Sequence, residues 1–98
     1  MFLYALVAGN SVMYKPSEYA SLTGKQLEKY LHLSGIPKNV FQCAIGDGTL
    51  GQALLELNFD GYYFTGSYNT GKHIATEIAR KLVPLQLELG GKDPLFVA

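Results

Sequence analysis

The chain has 98 residues, eight basic and eight acidic side chains, 48% hydrophobic and 16% charged residues. That is one domain at most, since domains commonly run to about 100–150 residues, and it is too apolar for a disordered segment. Zero net charge argues against a nucleic-acid footprint or a polybasic membrane patch. The single cysteine, Cys43, excludes an intramolecular disulfide framework and a cysteine zinc site, and fits a reducing, cytoplasmic setting.

The opening MFLYALVAG has no basic lead-in, and Asn10 and Lys15 interrupt its apolar run, so it does not read as a signal peptide. No stretch approaches the ~20 apolar residues of a membrane span. The uncapped apolar start reads as though a further segment preceded it. Ser11 to Tyr14 is a β-prone run stopped by Lys15-Pro16. Ser21 or Thr23 is expected to cap a helix to about Ser34, with Leu27, Tyr30, Leu31 and Ser34 on one side. Gly35 and Pro37 then close it. Val40 to Ile45 reads as a buried strand. After Gly46-Asp47-Gly48, Thr49 begins a helix, with Gln52 three residues on as in a capping box. Leu50, Ala53, Leu54 and Leu57 mark its buried face.

Asn58 to Gly61 is a turn and Tyr62-Tyr63-Phe64 the next strand. A third helix is expected from about Thr70 to Leu82, burying Ile74, Ala75, Ile78, Ala79 and Leu82. Leu85 to Leu89 alternates as a strand does, and Leu95 to Val97 begins another. Strand and helix in alternation predict an α/β fold with a parallel sheet and right-handed crossovers. Such open sheets bind ligands beyond the carboxyl ends of their strands. Those ends carry Lys15-Pro16-Ser17-Glu18, Gly46-Asp47-Gly48, Thr65-Gly66-Ser67 and Glu88-Leu89-Gly90-Gly91.

Gly46-x-Gly48-x-x-Gly51 follows a strand and opens a helix, as a dinucleotide fingerprint does. The fingerprint also wants an acid about 20 residues on, and no carboxylate lies between Tyr62 and Lys72. A plain glycine-rich turn is the competing reading. The segment from Gly66 to Gly71-Lys72-His73 nearly matches a P-loop, but His73 stands where a magnesium-binding hydroxyl belongs. What remains is an anion site at a helix N-terminus near Ser67 and Thr70, suited to a nucleotide phosphate. Lys15 and Glu18 form either a clasp for ribose hydroxyls or a solvated turn salt bridge. In the first case the carboxylate disfavours a 2′-phosphate and leans toward NAD. Glu88 is either an ordinary glutamate or, desolvated in a sheet covered on both faces, a general base. Cys43, mid-strand, reads as an inert thiol. His32 and His73 share no ligand spacing, and no metal site is expected. The seven tyrosines read as packing.

Ala8-Gly9-Asn10-Ser11-Val12, Lys15-Pro16-Ser17-Glu18, Phe64-Thr65-Gly66-Ser67 and Leu87-Glu88-Leu89-Gly90-Gly91-Lys92, in this order and spacing, resemble the NAD(P)-dependent aldehyde dehydrogenase superfamily along nearly all 98 residues. The resemblance implies a Rossmann-like open parallel sheet of the aldehyde-dehydrogenase type, here incomplete, with residues 1–98 forming part of the NAD(P)-binding domain. It implies cofactor-binding roles for Lys15, Ser17, Glu18, Gly48, Gly66, Ser67, Leu89 and Gly90. Lys15 and Glu18 would meet the adenosine ribose, Gly48 the adenine, Ser67 the pyrophosphate, and Leu89 and Gly90 the nicotinamide end. Glu88 would be catalytic, activating water or a thiol. The cofactor would be NAD, with NADP possible, and the substrate a small-molecule aldehyde. Neither nucleic acid nor membrane would be a partner, and the parent enzyme would be a homo-oligomer.

In that family a cysteine thiolate attacks the aldehyde and hydride passes to the nicotinamide. Cys43 does not match the nucleophile, so the catalytic-cysteine and oligomerisation regions are expected outside these residues, and this chain alone is not expected to complete the reaction. The alternatives are a non-catalytic nucleotide-binding module and a non-functional truncated remnant.

Overall fold

The computed structural model describes residues 2–92 and 94–97. In chain order it forms α1 (Phe2–Val7), β1 (Val12–Tyr14), a 3-10 turn (Glu18–Ala20), α2 (Ser21–Leu33), β2 (Phe41–Cys43), α3 (Gly48–Glu56), β3 (Tyr62–Gly66), α4 (Tyr68–Ala79) and β4 (Leu85–Leu89). The chain divides into two compact units, Met1–Glu56 and Leu57–Ala98. Each holds one two-stranded parallel sheet, so the strand order is β1-β2 and, separately, β3-β4. The strands are parallel as expected. Each ladder joins the two strands flanking one crossover helix, α2 or α4.

In the first unit Val12 pairs with Phe41, Met13 with Gln42 and Tyr14 with Cys43. Period-two alternation puts Val12, Tyr14, Phe41 and Cys43 on one face. There Phe2 of α1 closes an aromatic cluster, its ring 5.5 Å from Tyr14 and 5.5 Å from Phe41. Phe41 is fully buried, and burying one such side chain contributes about 1.5–3 kcal/mol. Met13 and Gln42, on the other face, are exposed.

Helix α2 lies close on this sheet because Gly24 has no side chain: a Cβ there would stand 2.6 Å from Pro16 Cγ and 3.2 Å from Cys43 Sγ. The inward face therefore runs through Gly24, Leu27, Glu28 and Leu31, while Tyr30 and Ser34, expected inside, are exposed. Neither Ser21 nor Thr23 caps the helix. A 3-10 turn capped by Ser17 feeds directly into α2, and the Ser21 hydroxyl donates to the Glu18 carbonyl at 2.9 Å. The C-terminus ends as expected. Gly35, at φ +98°, donates to the His32 carbonyl and Ile36 to the Leu31 carbonyl, each at 3.1 Å, a Schellman closure that needs the left-handed residue.

In the second unit Tyr62 pairs with Leu85 and the register continues to Gly66 with Leu89. The bounds of β4 are those expected. Ile78 of α4 is almost fully buried, with Ile74 and Ala75 half-buried. Ala79 and Leu82 are not part of the core. The helix ends at Ala79, and Leu82 follows in the left-handed region at φ 52° with 94% of its surface exposed. Lys81 fastens the other end of the unit. Its ammonium donates to the Tyr62 hydroxyl at 3.1 Å and to the Leu57 carbonyl, and it lies 5.6 Å from the Tyr62 ring centre. Leu95 to Val97 is irregular and exposed, not a strand; β4 already ends at Leu89.

Candidate functional site

The candidate residues collect at the carboxyl ends of the strands within each unit. In the first, Lys15 leaves β1 half-buried. Its ammonium donates to the Pro16 carbonyl at 3.2 Å, and its methylenes run beside Gly51 of α3. No ion pair joins Lys15 to Glu18 among the described residues, so the turn salt bridge is not formed. Ser17 and Glu18 are exposed in the 3-10 turn, where the Ser17 hydroxyl oxygen accepts the Tyr19 N–H at 3.4 Å. Gly48 is the first residue of α3, exposed and with open space where a Cβ would stand.

Helix α3 is capped by Asp47 and not by Thr49. The Asp47 carboxylate accepts the Thr49 N–H at 2.9 Å, and that bond, with help from the Thr49 hydroxyl, holds its pKa below the usual carboxylate value. Asp47 was legible in principle: an Asp just before the periodic run Leu50-Ala53-Leu54 is an N-cap signal. A carboxylate on these amides also bears on the glycine pattern around it, because a pyrophosphate at the start of α3 would face a negative charge.

The second unit offers the opposite environment. Ser67 caps α4 with a neutral hydroxyl, which accepts the Thr70 N–H at 3.3 Å and shares a 2.9 Å hydrogen bond with the Thr70 hydroxyl. The first turn of α4 carries no acidic residue. Its leading amides, Tyr68 and Asn69, have no intrahelical acceptor. Gly66 ends β3 beside Ser67, level with Leu89 at the end of β4. Leu89 lies against Gly71 of α4, where a Cβ would come within 2.5 Å of Leu89 Cδ2, and Gly90 is exposed with open space around it. The second unit thus brings Gly66, Ser67, Glu88, Leu89 and Gly90 to one end of its sheet.

Glu88 is exposed, and its Oε1 accepts from the Gln86 amide at 3.1 Å. The expected desolvation is absent because the Gln86–Glu88 face of β4 is open to solvent. Cys43 is half-buried. Burial first, and then the Glu28 carboxylate, push its thiol up, which opposes thiolate formation. Among the described residues no three His, Cys, Asp or Glu side chains are grouped as a metal would require. Among the described residues no helix is long and apolar enough to cross a membrane.

A profile of the aldehyde dehydrogenase family matches residues 1–98. The chain belongs to the aldehyde dehydrogenase family. It is 43% identical over 94 residues to the N-succinylglutamate 5-semialdehyde dehydrogenase of Legionella pneumophila (strain Paris), covering 95% of this chain and 19% of that protein. It is 39% identical to the betaine aldehyde dehydrogenase of Vibrio vulnificus, again over 95% of this chain and 19% of the relative. Among solved aldehyde dehydrogenases, the NAD-dependent enzyme of Sinorhizobium meliloti superposes with a TM-score of 0.80 at 40% identity, over 86% of this chain and 17% of that one. The indole-3-acetaldehyde dehydrogenase of P. syringae, solved in complex with NAD+, does so with a TM-score of 0.86 at 36% identity, over 92% and 19%. The chain therefore spans about a fifth of the length of the curated aldehyde dehydrogenases it matches.

Proposed function

We propose that residues 1–98 are part of the NAD(P)-binding domain of an enzyme that oxidises an aldehyde to a carboxylic acid or acyl product. The observation that carries this reading is the contrast between two helix starts. An acid-free, hydroxyl-capped N-terminus at α4 suits a pyrophosphate, and the carboxylate-capped start of α3 does not. Ser67 then meets the pyrophosphate, and Leu89 and Gly90 line the nicotinamide end. Lys15 and Glu18 meet the adenosine ribose, with Gly48 beside the adenine, and Ser17 and Gly66 complete the cofactor-binding set. The Glu18 carboxylate favours NAD over NADP by repelling a 2′-phosphate.

When bound, the cofactor supplies a hydride acceptor. Glu88 takes a proton from water or from a cysteine thiol. That cysteine is one other than Cys43, whose half-buried strand position and raised pKa suit a packing role. The aldehyde is a small molecule, and the whole enzyme is a homo-oligomer working in the cytoplasm.

Titration of the full chain with NAD, followed by amide chemical shifts, tests the reading. Shifts are expected at Lys15, Glu18 and Ser67, and Lys15→Ala should weaken binding about tenfold, the loss of one charge-assisted contact. Unchanged affinity would remove Lys15 from the site. Magnesium-dependent binding of ATP in place of NAD would overturn the cofactor assignment.

A further inference from the structure

We propose that Glu28 is a positioning residue for the turn that carries Gly48, acting as a side-chain clamp on the outer edge of β2; its link to the cofactor rests on the reading above. The ladder defines that edge. Val12 N–H donates to the Val40 carbonyl at 2.7 Å and Ala44 N–H to the Tyr14 carbonyl at 2.8 Å. Alternation then turns the backbone groups of Phe41 and Cys43 away from β1. The Cys43 N–H on that far side is taken by Glu28 Oε1 of α2 at 2.7 Å, a short, charge-assisted bond spanning 15 residues.

Glu28 has a neighbour on α2: His32, one turn on, has its Nε2 3.9 Å from the same oxygen, beyond hydrogen-bond distance. Its ring is held by Nδ1, which donates to the Ile36 carbonyl at 3.0 Å, since a carbonyl can only accept. Glu28 and His32 are both mostly shielded, at 30% and 20% side-chain exposure, so the clamp works with reduced competition from water.

The consequence for Gly48 follows from the brevity of β2. A three-residue strand has little ladder to hold its end. Cys43 is its last residue, and four residues separate it from Gly48. Tyr14 grips this end from the inside through Ala44, and Glu28 grips it from the outside through Cys43. Without the outer grip the strand end is held by its β1 ladder alone, and the direction in which residues 44–47 leave the sheet is less firmly fixed.

The test uses the full chain and two near-isosteric variants. Glu28→Met keeps the side-chain stem but not the acceptor, and Glu28→Gln keeps an acceptor oxygen without the charge. The Cys43 amide of Glu28→Met should exchange with solvent about tenfold faster, while Glu28→Gln stays within about threefold of the parent. In the unmodified chain, a through-hydrogen-bond scalar coupling between the Cys43 nitrogen and the Glu28 carboxylate carbon reads the clamp without any substitution. With NAD as the probe, Glu28→Met should bind several-fold more weakly and lose part of the Gly48 amide shift, and Glu28→Gln should restore both.

An absent coupling together with unchanged Cys43 exchange would overturn the clamp. Faster exchange with NAD affinity and the Gly48 shift unchanged would overturn the positioning role. Failure of the unmodified chain to bind NAD would sink the cofactor reading, while exchange and coupling would still decide the clamp.

Discussion

Gly24 and Gly71 are both buried helical glycines with no room for a methyl group, yet different atoms stand in the way. At Gly24 the obstacle is the Pro16 ring, which cannot rotate aside, with Cys43 Sγ behind it. At Gly71 it is the far end of the Leu89 side chain, which can change rotamer. Alanine favours a helix over glycine by about 1 kcal/mol, but overpacking costs about 1–3 kcal/mol. Gly24→Ala should therefore lower stability in urea unfolding, by about 1–2 kcal/mol net, and shift the amides of Lys15 and Ser17. Gly71→Ala should be nearly neutral in the same measurement. The helical pattern of α2 did not single out Gly24, because a glycine's value there depends on what the sheet brings opposite it. For the same reason Tyr30 passes as a core residue by spacing, although the close approach at Gly24 turns the helix to present Glu28.

Helix ends carry the clearest element-level tests. The Asp47 pKa is lowered on folding by the Thr49 amide. A carboxyl whose folded pKa is depressed stabilises fully above its unfolded value, near 4, and this stabilisation is lost as pH falls through the folded value. Asp47→Asn keeps an oxygen acceptor but no titration. The stability gap between parent and variant should hold at neutral pH and shrink below about pH 4; a gap independent of pH would remove Asp47 as the cap. At the end of α4, Leu82 occupies the left-handed region with its side chain exposed, a conformation costing about 1–2 kcal/mol for a residue with a Cβ. Leu82→Gly should raise the unfolding free energy by about 0.5–1 kcal/mol, after glycine's own entropy is counted. Leu82 satisfies the apolar spacing of α4, so periodicity alone extends the helix past Ala79. The opposite error occurs at Phe2–Val7, an apolar run of six residues with no cap or charged turn to announce a helix.

Across the whole molecule, the order of strands and helices and the parallel pairing were legible, because Pro16, Gly35, Pro37 and the 58–61 turn punctuate a clear alternation of apolar patterns. The clustering of candidate residues at strand ends was legible for the same reason. Which strands pair with which was not, since periodicity says which residues form strands but not their partners. Among the described residues each unit has a single fully buried large side chain, Phe41 in one and Ile78 in the other. Truncation at such a position costs about 2–5 kcal/mol, a large share of what a small unit can hold. Ile78→Ala should therefore abolish protection from amide exchange throughout β3 and β4; persistence of that protection would show a core resting on other contacts.

The Glu28 bond also gives the first sheet a direction of growth. A strand joining beside β2 must displace a carboxylate from the Cys43 amide, whereas on the other side Met13 turns its backbone groups away from β2 with no side chain of the described residues bound to them. Of the two edges of this sheet, the one at β2 is therefore guarded by a carboxylate and the one at β1 is not.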